Sequence, residues 1–228
     1  MPETIKSFNS EPGESFTPVR KASPDSAGET LIELGKKSPM AAEYLLTIYL
    51  IQREYRYVSN SRLAERMKVS RSAVTQAAKR LESLGLVIHK DNNYTLTEKG
   101  RDYATSLLKR HYLIEHLLVN HLHYPWDRAD EEAALLQDKI SSGFADFLYE
   151  KMGRPKTCPH GNPFPDIEDE GRLLGAGDLL QCNLKRPVRV LRITEEGEEV
   201  PGMLSFCYEK NIRPGMNLEV STKSAEGV

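Results

Sequence analysis

The chain has 228 residues, 39% of them hydrophobic and 28% charged, with a formal net charge of −2. That composition belongs to folded domains rather than to disorder. The longest apolar run, Leu45 to Ile51, is far short of the ~18 residues a membrane helix needs. No secretory h-region opens the chain, and Cys158, Cys182 and Cys207 are odd in number and scattered, so a reduced, cytoplasmic setting is expected.

Charge is unevenly spread. Residues 1–37 carry five Lys/Arg and six Asp/Glu and are rich in Ser, Pro and Gly; they read as a disordered tail, with only Thr30 to Leu34 apolar enough to order. Residues 38–101 carry eleven basic against six acidic residues, net +5, whereas residues 166–228 carry eight against twelve, net −4. One basic stretch in an acidic chain fits a polyanionic partner, and equally fits a solvated surface; charge alone leaves both open.

Within 38–101, Ser38 and Pro39 form a helix start, and Met40, Tyr44, Leu45, Ile48 and Ile51 follow at helical spacing. Ser59 caps a short helix to Met67, Lys68-Val69-Ser70 is a turn, and Ser70 caps a helix from Arg71 to Leu84. Val74, Ala77, Ala78 and Leu81 make one apolar face of that helix, with Ser72, Gln76, Lys79 and Arg80 opposite. A face of donors and acceptors without an acid suits base edges and phosphates. Leu86 to Lys90 and Tyr94 to Thr97 then pair around Asp91-Asn92-Asn93 as a wing whose tip carries His89, Lys90 and Asn92. The order helix, turn, helix, wing predicts a winged helix-turn-helix that binds double-stranded DNA through Ser59, Ser70, Arg71, Ser72, Thr75, Gln76, Lys79, Arg80 and Lys90. Protein contact is the alternative use of such a head.

Residues 102–165 read as a helical domain: a long helix from Asp102 to His123, broken at Pro125, and a second from about Asp127 to Met152. Leu136, Ile140, Phe144 and Phe147 share one face of the second, enough apolar surface for a core or a dimer partner. On the first, His111 and Glu115 stand four apart on the stripe of Leu107, Leu118 and Leu122, where they need partners; a metal and a mutual hydrogen bond are both open. His116, His121 and His123 fall off that face and read as surface. Cys158 and His160 resemble half a zinc site without a second half, so Cys158 to Pro163 reads as a tight linker. In residues 166–228, alternation at Val188, Val190 and Ile193 and at Leu218 and Val220, with Arg213-Pro214-Gly215 as a turn, predicts short strands. Neither a nucleophile elbow nor a glycine-rich phosphate loop appears, so an enzyme is not expected.

Several ordered segments resemble the diphtheria-toxin-repressor family of metal-dependent transcriptional regulators. They include Ala42 to Tyr49, Leu63-Ala64, Val69-Ser70, Val74-Thr75-Gln76, Leu84 to Val87, Leu96 to Gly100, Arg110 to Glu115, Pro125-Trp126-Asp127 and Cys158 to Pro163. The resemblance implies a mainly α fold with a winged helix-turn-helix, a helical dimerisation domain and a small C-terminal β-barrel of the Src-homology type. It further implies a homodimer on a palindromic operator, with Mn²⁺ or Fe²⁺ as corepressor, acting as a repressor of metal-homeostasis genes. By position, His111, Glu115 and Glu43 match ligand residues. Asp130 stands where His is usual, Asp138 replaces a His, Gln137 a Glu, and Ala134 a Cys or Glu. One site from His111, Glu115 and Asp130 is therefore expected, with a weak or lost second site at Glu43, Gln137 and Asp138. A regulator of the same fold that is metal-independent, or answers another ligand, is the alternative.

Overall fold

The computed structural model describes residues 39–168, 170–183 and 185–223. The expected tail, the patch at Thr30 to Leu34 and the cap at Ser38 lie outside these residues. Helix α1 (Pro39–Tyr55) buries Leu45, Ile48 and Ile51 completely. Helix α2 (Asn60–Arg66) begins where the Ser59 hydroxyl accepts the Arg62 N–H. Helix α3 (Arg71–Ser83) begins where Ser70 accepts from Ala73 N–H. Each cap satisfies an amide that the helix itself leaves unpaired. Lys68 turns the chain between α2 and α3 with φ 54°.

Strands β1 (Val87–Lys90) and β2 (Asn93–Leu96) pair antiparallel with Lys90 opposite Asn93. The wing turn is therefore two residues rather than the three expected. Asp91 and Asn92 have φ 51° and 58°, the left-handed pair that lets a two-residue turn match strand twist.

Helix α4 (Glu98–His116) starts earlier than the predicted Asp102, because the Thr97 hydroxyl accepts the Gly100 N–H and sets the cap one turn upstream. Its far end leaves α geometry in a π-type turn, Leu117–His121, which swings Leu122 out of the apolar stripe to 62% exposure. The predicted second helix is interrupted. A 3₁₀ turn (Trp126–Arg128) leads into α5 (Ala129–Leu136), and α6 (Ser142–Lys151) starts afresh where Ser141 accepts from Phe144 N–H. Of the four apolar residues expected on one face, Leu136 ends α5, Ile140 lies in the link, and Phe144 and Phe147 belong to α6. Leu136, Phe144 and Phe147 stay exposed in the single chain.

One core runs from α1 through α3 and the wing into α4, joining Leu45, Ile48, Val74, Leu81, Tyr94, Leu107 and Leu113. The C-terminal segment holds α7 (Glu170–Leu174), β3 (Pro187–Arg189), α8 (Glu195–Glu198), α9 (Met203–Glu209) and β4 (Asn217–Glu219). Strands β3 and β4 pair antiparallel as a two-stranded sheet, and the expected barrel is not closed among the described residues. Ile193 is not in a strand; its N–H donates to the His160 carbonyl at 2.9 Å. A second small core, Trp126 with Leu204 and Cys207, seats α9 against the 3₁₀ turn.

Gly100 lies where α4 crosses the end of the wing: a Cβ there would stand 2.1 Å from the Leu86 carbonyl oxygen. Gly100→Ala must push the long helix off the head. It should cost about 1–3 kcal/mol, measured as a lower urea midpoint at unchanged slope.

Candidate metal centre and nucleic-acid interface

On α3, Val74, Ala78 and Leu81 are buried, and Arg71, Ser72, Thr75, Gln76, Lys79 and Arg80 are exposed. Lys90 is exposed at the wing tip. Ser59 and Ser70 have their hydroxyls engaged as caps. The Thr75 hydroxyl donates to the Arg71 carbonyl at 3.0 Å and accepts from Asn60 Nδ2 at 3.1 Å. Asn60 Nδ2 also reaches the Tyr94 hydroxyl at 3.1 Å, so one amide ties α2, α3 and the wing. Stacking of His89 on Tyr94, 4.3 Å between ring centres, stiffens the same corner. Asn60, Ser61, Arg71, Ser72, His89 and Asn92 line a groove between helix and wing. Asn60 escaped the sequence reading because only its tertiary partners reveal its part.

The second notable region is buried. His111 Nε2 lies 3.1 Å from Glu115 Oε1 and 3.1 Å from Asp130 Oδ1. Helical spacing supplies the first pair, and the first turn of α5 supplies Asp130. The structure thus brings together the three residues expected to form one site. It does not gather the others: Glu43 is exposed, Asp138 pairs with Lys139 at 2.6 Å, and the Gln137 side-chain oxygen is buried without a hydrogen bond.

Cys158 to Pro163 follows the tight, irregular path expected of it, but folds inwards and buries Cys158 and His160. Glu115, Cys158 and His160 are all buried and close enough to share one ion, as are His111, Glu115 and Asp130, so Glu115 belongs to both groups. Gly161, at φ 94°, makes the turn possible, since a Cβ there would meet the Leu191 carbonyl at 2.2 Å. His160 Nε2 donates to the Trp126 carbonyl at 3.0 Å, which leaves Nδ1 aimed at Glu115 Oε1, 3.3 Å away, and Glu198 Oε2, 3.6 Å away. A lone pair facing two carboxylates needs a proton or a cation between them. The missing half of the site comes from α4 and from α8, far away in sequence.

Glu195 and Glu198 are both 8% exposed. Glu195 accepts from the Tyr112 hydroxyl, and Glu198 accepts from Asn162 Nδ2 at 2.5 Å. Neither was anticipated, although Thr194 as a cap with acids at the first and fourth helical positions was a signal that could be read. His116, expected on the surface, is half-buried: Nε2 donates to the Thr157 carbonyl at 2.6 Å, and Nδ1 accepts from Asn120 at 2.6 Å. With both nitrogens used and burial holding its pKa down, it is neutral and offers no ligand atom.

Charge does not balance in this pocket. Four carboxylates, Glu115, Asp130, Glu195 and Glu198, face two imidazoles, and Arg53 nearby is already paired with Glu170 at 3.0 Å. Burial alone would raise the Glu115 carboxyl, yet His160 and His111 hold it well below the usual range. Burial, then Glu195, Glu115 and Asp130, push Glu198 well up; burial pushes Glu195 up. Burial, then Glu115, Glu198 and Glu195, push up the Cys158 thiol. Burial opposes charge on His111, but hydrogen bonds to Asp130 and Glu115 raise it well above the imidazole range. A divalent cation meets these demands: Glu115 Oε2 and His160 Nδ1 are buried without hydrogen-bond partners, and imidazole, carboxylate and thiol are competent donors.

This fold and site define a metal-responsive, DNA-binding regulator. Residues 36–93 match the iron dependent repressor N-terminal DNA binding domain, and residues 97–166 match the iron dependent repressor metal binding and dimerisation domain. The iron-dependent repressor IdeR of Mycobacterium tuberculosis is 30% identical over 81% of this chain and 85% of its own. The diphtheria toxin repressor of Corynebacterium diphtheriae is 27% identical over 78% and 82%. A solved manganese-dependent transcriptional repressor in complex with manganese superposes with TM-score 0.66 at 31% identity, covering 81% of this chain and 85% of that one. The chain belongs to the iron-dependent repressor family of transcriptional regulators, which are not enzymes. No helix among the described residues is long and apolar enough to cross a membrane.

In metal-free protein, His111 and Glu198 both bind protons more tightly folded than unfolded. Their contribution is full below the unfolded values and lost as pH rises through the folded ones. Glu115 has the opposite sign, its contribution vanishing as pH falls below the carboxylate range. Chelator-treated protein should therefore melt at progressively lower temperature as pH rises above the ordinary imidazole value of about 6.5, and saturating Mn²⁺ should reverse that trend in the same calorimetric scans.

Proposed function

We propose that this protein is a cytoplasmic, homodimeric repressor of metal-homeostasis genes, binding a palindromic operator when a divalent metal, Mn²⁺ or Fe²⁺, occupies the buried centre. The observation that carries this reading is Glu115, a fully buried carboxylate shared by two ligand groups, with one oxygen lacking any hydrogen-bond partner. His111, Glu115, Asp130, Cys158 and His160 would hold the ion, with Glu195 and Glu198 closing the pocket from α8. When bound, the metal supplies positive charge to a cluster that otherwise recruits protons. Asp138 paired with Lys139, and Gln137 in place of an acid, favour a regulator that relies on this centre alone.

Division into a DNA-binding head at 38–101, a dimerisation and metal domain at 102–165 and a C-terminal domain at 166–228 is supported by the two matched spans and by the separate small core under α9. We assign base reading to Gln76. Arg71, Ser72, Lys79, Arg80 and Lys90 contact phosphate, and Ser59, Ser70 and Thr75 hold the reading helix in shape. Exposed Leu135, Leu136, Phe144 and Phe147 form the dimer face; Phe144 and Phe147 stack with ring centres 6.5 Å apart. A two-fold dimer sets two heads on successive major grooves.

Operator selection from random DNA, with Mn²⁺, with Fe²⁺ and with chelator, supplies the sequence on which these roles are tested. Gln76→Ala should lose about 1–3 kcal/mol of discrimination between bases. Arg80→Ala should weaken all sequences alike and lower the salt slope by about one unit. Wild-type behaviour in both variants would remove the head's assignment. At the centre, Glu115→Gln should abolish heat release on titration with Mn²⁺ or Zn²⁺ and reduce operator affinity to the chelated level. Metal binding unchanged in that variant would overturn the site.

A further inference from the structure

The single-turn helix α8 has two working faces. In Thr194-Glu195-Glu196-Gly197-Glu198-Glu199 the acids fall in pairs three apart, and residues at that spacing share a helix face. The inner pair, Glu195 and Glu198, is buried at the metal centre. The outer pair is exposed but engaged. Glu196 accepts from the Tyr55 hydroxyl at the end of α1. Glu199 accepts from Arg66 on both oxygens, Oε1 from Nη2 at 2.8 Å and Nε at 3.0 Å, and Oε2 from Nε at 3.2 Å. Arg66 ends α2, and its side chain is only 8% exposed. A second bolt lies just upstream: Arg192 donates to both Glu54 oxygens at 2.6 and 2.8 Å, and to Asn162 Oδ1 at 3.1 Å. Asn162 donates in turn to Glu198.

We propose that α8 couples the metal centre to the DNA-binding head, with Glu196 and Glu199 as positioning residues that pass its location to Tyr55 and Arg66. The inference rests on reading the buried cluster as a metal centre. One helical turn has no stability of its own, so contacts on its two faces decide where it sits. On the inner face Glu195 and Glu198 repel each other and Glu115, and holding a cation between them would relieve that repulsion and draw the turn towards α4. On the outer face a bidentate carboxylate–guanidinium pair fixes orientation as well as distance. Arg66 lies one short turn before the Ser70 cap, so a shift of α8 reaches the start of the reading helix through a continuous set of bonds. Neither outer glutamate belongs to the groups that could share an ion or to the lining of the groove between reading helix and wing.

The test uses the full chain as Glu196→Gln/Glu199→Gln, and as the charge exchange Arg66→Glu with Glu199→Arg. Three measurements are made on each: calorimetric titration with Mn²⁺ alone, operator affinity with Mn²⁺ and with chelator, and amide hydrogen exchange across residues 60–66 with and without Mn²⁺. In the wild type, metal should raise operator affinity by a factor in the range of about 5–150 and slow exchange in residues 60–66. The double glutamine variant should keep the metal stoichiometry and the chelated operator affinity. It should lose most of the metal-induced gain and the metal-dependent protection, and the charge exchange should restore part of both. A double variant with the full gain and full protection overturns the coupling while leaving the metal centre standing. Wild-type protein that takes up no Mn²⁺ overturns both readings together.

Discussion

Glu115 is a carboxylate with no exposure to water, and leaving it uncompensated would cost several kcal/mol or about that. Much of the surrounding architecture answers this one demand. His111 stands a turn before it on α4, the Cys158 to Pro163 loop folds inwards to bring His160 alongside, and Trp126 fixes the His160 tautomer through its carbonyl. Trp126 is also the base on which α9 packs, so the small C-terminal core and the orientation of the His160 ring share one residue. The acids of α8 then arrive in excess. A pocket that gathers more negative charge than its imidazoles can meet is stable when a cation is present and strained by repulsion when it is not.

The elements built from local signals were legible in the sequence. Ser59 and Ser70 announce their helices because a capping hydroxyl acts within three residues, and the apolar stripe of Val74, Ala78 and Leu81 is a property of one helix alone. His111 with Glu115 was legible for the same reason, and Asp130 through family resemblance. The region after Pro125 misled because apolar spacing from Leu136 to Phe147 continues across Ser141 as though no break occurred. Ser141 was the competing signal, and its cap decided the matter.

What could not be read was whatever depends on distant segments meeting. Cys158 and His160 looked like half a site because their partners sit on α4 and α8, and nothing in the intervening sequence announces the encounter. His116 looked like surface because helical phase says nothing about a loop that later covers it; the Thr157 carbonyl closes over its ring. The C-terminal strands were foreseen by alternation at Val188 and Leu218, but short helices stand between them, where Thr194 starts a helical turn instead of extending a strand.

Asn60 holds α2, the reading helix and the wing with a single amide, and Tyr57 adds a bond from its hydroxyl to the Asn92 carbonyl at 3.1 Å. A head knitted at three corners moves as one body. Those bonds fix the width of its groove and the mutual spacing of its side chains. Regulation acting on such a head would alter where it stands relative to a two-fold mate, and would leave the bases that each copy prefers unchanged. A lone half-site should then be insensitive to the regulatory state, and the geometric fit between paired half-sites becomes the quantity on which control is exerted.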